Sequence, residues 1–383
     1  YSGWGGLKDV AMLPSNFYWQ GKSAPAQRRN AKTHELIAEI AQYLTIETKN
    51  TFGFNSSLQR SIDFSALNAH YTDVAITKAI WQILHKQFGF TGGQIIEPSA
   101  GIGNFIATMP TAVQSNSTVV AVEKEPITAK IMAYLQPQAT VFNKGFEQTV
   151  LPNSYFELCI SNIPFGDIKV FDQEYTTNGN KAQKASQKRI HNYYFVKNID
   201  LCSEGGIIAF ITTAGVMDSA GNANIRQYIY EKCHFLGAVR MPNTTFKNNA
   251  NTQVVTDVIF LQKKGENIKP PTELDIRNVT EIEAKHIDYY NESKIYHKKA
   301  FKITVNEYFV KNPQNVIGKI RTGGLYSAES MTVINDKKLD VQAIADKLVS
   351  LAKDTMPSAV FKPTEKLQKE AFDIFTKQKY LEK

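Results

Sequence analysis

At 383 residues, 43% hydrophobic and 21% charged, the chain is an ordinary globular protein long enough for a main domain and one or two smaller ones. No apolar run approaches the roughly 18 residues of a membrane span, and three cysteines at unrelated spacings (Cys159, Cys202, Cys233) argue against a zinc site, any other metal centre or a disulfide framework. They point instead to a reducing, cytoplasmic setting, and the net charge of +8 favours nucleic acid or another polyanion as partner.

Residues 1–68 read as an N-terminal arm and helical segment. Gly, Ser, Pro and Gln are frequent in the first 30 residues, with Trp4 and Trp19 for packing, and a one-sided apolar pattern over 33–46 predicts a helix. With Tyr1 in first place rather than Met, the chain is expected to be part of something longer. Residues 69–265 read as the main domain. Thr72 or Asp73 caps a helix through Leu84. From there strands and helices alternate: a strand at 94–97, a Gly turn into a helix at 99–105, and a strand at 118–122 closed by Glu123. A helix at 127–135, a short strand at 140–142 and a strand at 156–162 follow. Next come a polar, basic loop at 169–189, a helix at 191–201, a strong strand at 207–212 and a helix at 225–231. Two strands, 235–241 and 254–262, lack a helix between them and are expected to be antiparallel neighbours. Such alternation predicts an α/β fold with a mostly parallel sheet covered on both faces. Residues 266–335 read as a small mixed or β-rich domain and possible DNA-recognition region, and 336–383 as C-terminal helices over 340–352 and 364–381 leading to a further part.

Two stretches carry chemistry. Gly101 and Gly103 let the backbone approach a small ligand, and Glu123, 20 residues after Gly103, is placed to accept hydrogen bonds from ribose hydroxyls. A dinucleotide site wants a third Gly at position 106, where this chain has Ile106; Glu97-Pro98 at the strand end suits S-adenosylmethionine better. The second stretch is Asn162-Ile163-Pro164-Phe165, which ends a buried strand. An exocyclic amine on an aromatic ring is a poor nucleophile because its lone pair is delocalised. The Asn162 amide and the Ile163 carbonyl, accepting its hydrogens, would favour the pyramidal form and stabilise the positive charge that develops, with Phe165 stacked on the ring. Read alone, Asn162 is a turn residue and Phe165 a core aromatic; it is the cofactor turn upstream that favours the chemical reading.

Tyr71-Thr72, the run from Glu97 to Phe105, Glu123, Phe146-Glu147 and Asn162-Ile163-Pro164-Phe165 occur in the order found in N6-adenine-type DNA methyltransferases. The chain most resembles the methyltransferase domain of the large methyltransferase–helicase proteins of phages and mobile elements. Tyr1-Ser2-Gly3-Trp4-Gly5-Gly6-Leu7, Gly237-Ala238-Val239-Arg240-Met241-Pro242 and Thr256-Asp257 are similar to that group as well, so the likeness covers roughly residues 1–265. It implies a Rossmann-like fold with a seven-stranded, mostly parallel sheet whose last strand is antiparallel, S-adenosylmethionine as cofactor, DNA as partner, a role in DNA methylation and restriction-modification, and a helicase region in the same full-length chain. Carried over, Tyr71, Thr72, Glu97, Pro98, Ser99, Gly101, Gly103, Asn104 and Phe105 bind the cofactor, with Thr72 and the Gly101–Asn104 turn at its amino-acid end. Glu123 takes its ribose, and Phe146 or Glu147 its adenine. Asn162, Ile163, Pro164 and Phe165 form the target-amine pocket, and Phe246 either meets the flipped base from its edge or serves in the core. Ile163 stands where the family usually has Pro, and Asp73 where Pro usually follows Tyr-Thr.

A base inside a duplex cannot reach such a pocket, so the adenine must be flipped out or single-stranded. Lys181, Lys184, Lys188 and Arg189 in the basic loop are expected to lie along phosphates; a disordered solvated loop is the competing reading, and the two are compatible if the loop orders only on DNA. Methylation of an RNA base or a protein glutamine, and a non-catalytic DNA-binding module that keeps the fold, stay open as alternatives.

Overall fold

The computed structural model describes residues 72–246, 254–287, 300–324, 327 and 329–363. The elements expected within 1–68 and over 364–381, and Tyr71, lie outside these residues. Seven strands build one sheet: β1 Gly93–Glu97, β2 Ser117–Val122, β3 Thr140–Phe142, β4 Phe156–Asn162, β5 Cys202–Thr213, β6 Cys233–Met241 and β7 Thr256–Lys263. Their order across the sheet is β3-β2-β1-β4-β5-β7-β6. Strands β1 to β5 pair in parallel, and β7 runs antiparallel to both β5 and β6. This is the mostly parallel seven-stranded sheet with an antiparallel last strand that the resemblance implies. The chain builds outward from β1 through β2 to β3, then returns to lay β4 on the other side of β1. The order reverses between β1 and β4, and in open α/β sheets the ligand crevice lies at the carboxyl ends of the strands at such a point.

The helices are α1 Val74–Gln82, α2 Asn104–Ala107, α3 Thr111–Gln114, α4 Pro126–Leu135, α5 Gln173–Thr177, α6 Lys181–Ser186, α7 Ile190–Leu201, α8 Gly215–Asp218, α9 Ala223–Lys232, α10 Glu307–Lys311 and α11 Val341–Thr355. Among the described residues no helix is long and apolar enough to cross a membrane. Strand β5 is apolar on both faces, as a strand covered on both sides must be. Its Ile207, Ala209 and Ile211 join a cluster with Ile76 and Ile80 of α1 and Leu348 of α11. Its Ile208 and Phe210 join another with Phe195 of α7 and Ile229 of α9. Two antiparallel hairpins follow the sheet, β8 Val279–Lys285 with β9 Ala300–Asn306 and β10 Lys319–Thr322 with β11 Met331–Ile334. Residues 169–189 differ from the loop expected of them: α5 and α6 occupy most of the stretch. Asp172 caps α5 through the Tyr175 N–H, and Asn180 and Gln183 form a capping box on α6, so short helices stand where no apolar period was visible.

Candidate functional site

The carboxyl ends of β1 and β4 carry the two stretches singled out in the sequence, Glu97 onward and Asn162 onward. Between β1 and α2 the chain makes a tight turn in which Gly101 (φ 56°) and Gly103 (φ 82°) take left-handed conformations that an L side chain resists. The Ala100 N–H donates to the Val122 carbonyl (3.0 Å), which fastens the turn to the end of β2. Glu123 secures it further: one carboxylate oxygen accepts the Gly101 N–H at 2.9 Å and the other accepts the Glu125 N–H at 2.8 Å. From the other side, the Asn104 side chain donates to the Thr72 carbonyl (2.8 Å) and ties α2 to the start of α1. Asp73, not Thr72, caps that helix, accepting the Ala75 N–H at 2.8 Å. Serving as the cap is how Asp73 replaces the Pro that usually follows Tyr-Thr.

Strand β4 meets the turn directly. The Ser161 hydroxyl donates to the Ser99 carbonyl at 3.3 Å, so Asn162 follows a residue bonded to the glycine turn. The Ile163 N–H donates to the Ile211 carbonyl (3.1 Å) and continues the β4–β5 pairing one residue past the strand. The Ile163 side chain is fully buried, whereas Asn162, Pro164 and Phe165 are half-buried. Thus the Ile163 backbone is fixed by its own N–H and by the packing of its side chain.

Two carboxyl groups dominate the electrostatics. Burial, reinforced by the charge of Glu123, holds the Glu97 carboxyl well above the usual carboxylate range. Burial pushes Glu123 up to about 7, against the lowering effect of the Glu125 and Gly101 N–H groups. Glu97 Oε2 is buried and has no hydrogen-bond partner among the described residues. A cationic ligand would relieve both groups. S-adenosylmethionine, with its ammonium and sulfonium charges and ribose hydroxyl donors, fits these carboxylate acceptors.

Other expected site residues are placed differently. The Phe146 ring is buried against Tyr193 and Tyr194, with Lys197 Nζ 4.8 Å from its centroid. Glu147 stays near the surface in an ion pair with Lys124 (3.5 Å). Pro98 and Phe105 are buried, the latter with its carbonyl accepting the Trp81 indole N–H at 2.7 Å. Phe246 lies 3% exposed in the cluster with Met241 and Ile317, a core position. Lys181, Lys184 and Lys188 are exposed on the 169–189 stretch, while Arg189 pairs with Asp167 at 3.2 Å, just beyond the Asn162–Phe165 motif.

The sequence reading missed His191. It opens α7 almost wholly buried, and neither ring nitrogen has a hydrogen-bond partner among the described residues. Burial, with the Arg189 charge, pushes it down to about 4, so the ring is neutral at pH 7. The available signal was the run His191-Asn192-Tyr193-Tyr194-Phe195, too polar and aromatic for a plain amphipathic helix.

A family model described as N-6 DNA methylase matches residues 65–308, well over half of the chain and all seven strands of the sheet. The chain belongs to the N-6 DNA methylase family. Over 248 residues the chain is 29% identical to the defense against restriction protein B of Escherichia phage P1, covering 64% of this chain and 10% of that protein. The chain therefore spans about a tenth of the length of that relative. Among solved structures, the methyltransferase subunit of a type I restriction-modification system from Streptococcus thermophilus is 13% identical, with a TM-score of 0.45, over 64% of this chain and 63% of that one. A Listeria monocytogenes protein assigned to the class I S-adenosylmethionine-dependent methyltransferases is 18% identical, with a TM-score of 0.46, over 70% of this chain and 88% of that one. The fold of this N-6 DNA methylase rests on its own strand order rather than on those likenesses.

Proposed function

We propose that this chain methylates the exocyclic N6 amine of adenine in DNA, acting on a base turned out of the helix. The observation that carries the reading is the Ser161–Ser99 bond, which sets the target-amine motif against the cofactor turn. S-adenosylmethionine, when bound, supplies a methyl group already activated by its sulfonium, so the protein need not supply a strong base. Thr72, Glu97, Gly101, Gly103 and Asn104 hold its amino-acid end, Glu123 its ribose and Glu147 its adenine side. Asn162 and the Ile163 carbonyl accept the hydrogens of the target amine and stabilise charge developing on nitrogen, while Phe165 lies against the base. Alignment for in-line transfer then accounts for the rest of the acceleration. Lys181, Lys184 and Lys188 lie along phosphates. A setting in phage or mobile-element defence against restriction accords with the name of the phage relative, while a helicase region in the same full-length chain rests on the sequence resemblance alone.

Tritiated methyl transfer to separate DNA, RNA and protein fractions tests the reading. Label in DNA, appearing as N6-methyladenine on nucleoside analysis, is expected; label confined to RNA or to glutamine overturns it. Asn162→Ala should leave cofactor affinity by calorimetry within about twofold and lower transfer by about 10²–10³-fold, because the amide acts on the transition state. A large loss of cofactor binding would instead mean that Asn162 lines the cofactor site.

A further inference from the structure

The segment leaving the target-amine motif carries an aromatic residue that neither the fold nor the chemistry above uses. Phe171 is 70% exposed and Ile168 37%, although rings of this size normally dominate cores and interfaces. Phe171 is not on a loose loop. The Val170 N–H donates to the Gln187 carbonyl (2.9 Å), and the Asp172 N–H donates to the Gln187 side-chain oxygen (2.8 Å). Asp172 is anchored further: its carboxylate accepts the Tyr175 N–H at 3.1 Å, the Tyr193 hydroxyl at 2.5 Å and Lys197 Nζ at 3.3 Å. The ring is thus held out to solvent by a backbone pinned on both sides.

Its surroundings are basic. Lys169, Lys181, Lys184 and Lys188 are all exposed. Of the nearby acids, Asp172 is buried against Lys197 and Asp167 pairs with Arg189, which leaves exposed Glu174. Among the other exposed apolar side chains, Tyr230 also lies among cations, but Arg277 (3.5 Å) and Lys264 (4.9 Å) already stack on its ring. Tyr134 and Leu135 end α4, which starts at the carboxyl end of β2 and leads to the edge strand β3. Phe171 is six residues from Phe165, a separation of at most about 20 Å of extended chain.

We propose that Phe171 stacks on a nucleobase of the DNA next to the displaced adenine, with the flanking lysines on phosphates. The inference rests on DNA being the substrate. A pinned aromatic ring among lysines is the arrangement that gives sequence-tolerant stacking on single bases, and an apolar wedge at a base step eases the unstacking that flipping requires.

The test uses the full-length protein with mixed-sequence duplex DNA at one fixed salt concentration. Phe171→Ala is expected to weaken DNA binding by fluorescence anisotropy about tenfold and to raise KM for DNA, with S-adenosylmethionine affinity by calorimetry unchanged as the check on folding. Phe171→Trp should keep wild-type DNA affinity. Phe171→Lys, which adds charge and removes the ring, should behave like the alanine variant. If alanine binds DNA within about twofold of wild type, or lysine matches wild type, stacking by Phe171 is overturned. If the wild-type protein neither binds nor methylates DNA, the DNA reading itself fails. Should the alanine variant lose cofactor binding, the tryptophan and lysine variants still decide between ring and charge.

Discussion

Glu97 and Glu123 resist ionisation while the cofactor turn stands alone, and this has a pH signature. Both carboxyls titrate higher in the folded chain than unfolded, so between about 4.5 and about 7 the folded form binds more protons. Their contribution to stability is therefore full at low pH and lost as pH rises through that window. The cofactor-free protein should show a Tm about 5 °C lower at pH 7.5 than at pH 5, with a flatter profile in Glu97→Gln. A cationic cofactor ionises these groups as it binds. Calorimetry near pH 6 in buffers of different ionisation enthalpy should then report net proton release, and a buffer-independent enthalpy would count against the assignment. At the same scale, Ile163 gives a bond that the family's usual Pro cannot make, its N–H to the Ile211 carbonyl. Ile163→Pro should cost about 1 kcal/mol in thermal unfolding or more, since it also empties part of a packed site.

The elements legible in the sequence were those with a clear period or a sharp stop. Strand β3 falls at 140–142 as expected, and α7, α9 and the antiparallel β6–β7 pair lie within two or three residues of their expected places. Residues 169–189 were read as a loop because α5 and α6, five and six residues long, are too short to display an apolar period. Tertiary contacts hold them. Asp200 on α7 accepts the Tyr175 hydroxyl (2.5 Å), the Gln183 side-chain amide (2.7 Å) and, from α9, the Tyr228 hydroxyl (2.5 Å). Asp200→Ala strands three donors, so it should destabilise by about 2 kcal/mol and speed amide exchange in α5 and α6 while β1 and β4 stay protected. Uniform acceleration across the chain would mean that Asp200 supports the whole core rather than this stretch.

At the scale of the whole molecule, the buried Arg240 guanidinium ties separate segments together. Arg240 of β6 donates bidentately to Asp257 of β7 at 2.8 and 2.9 Å, and reaches Asp218 of α8 at 2.8 and 2.9 Å. Asp218 also accepts the Asn306 N–H (2.8 Å), and the Arg240 guanidinium lies 4.1 Å from the Phe309 ring centroid. This network joins the sheet to the segment after β9. On the opposite face, the Gln87 side chain donates to the Ala352, Met356 and Pro357 carbonyls and closes the end of α11 beside α1. Arg240→Ala leaves two carboxylates buried without their cation and should cost about 3–5 kcal/mol in thermal unfolding. A cost below about 1 kcal/mol would mean that water reaches these groups.

Arg240 and Asp257 were visible in the sequence as parts of motifs, but their pairing was not, because only the antiparallel register of β6 and β7 puts them side by side. The same division holds for the site. Local patterns determined the sheet, the glycine turn and the strand that stops at Asn162, since these depend on residue type at short spacing. Tertiary structure decided the rest. It buried the rings of Phe146 and Phe246 in the core, and it buried the Glu97 and Glu123 carboxyls so that neither ionises readily. It also folded a polar stretch around Asp200 and left Phe171 exposed. Burial and charge proximity are properties of distant segments brought together, and no window of sequence contains them.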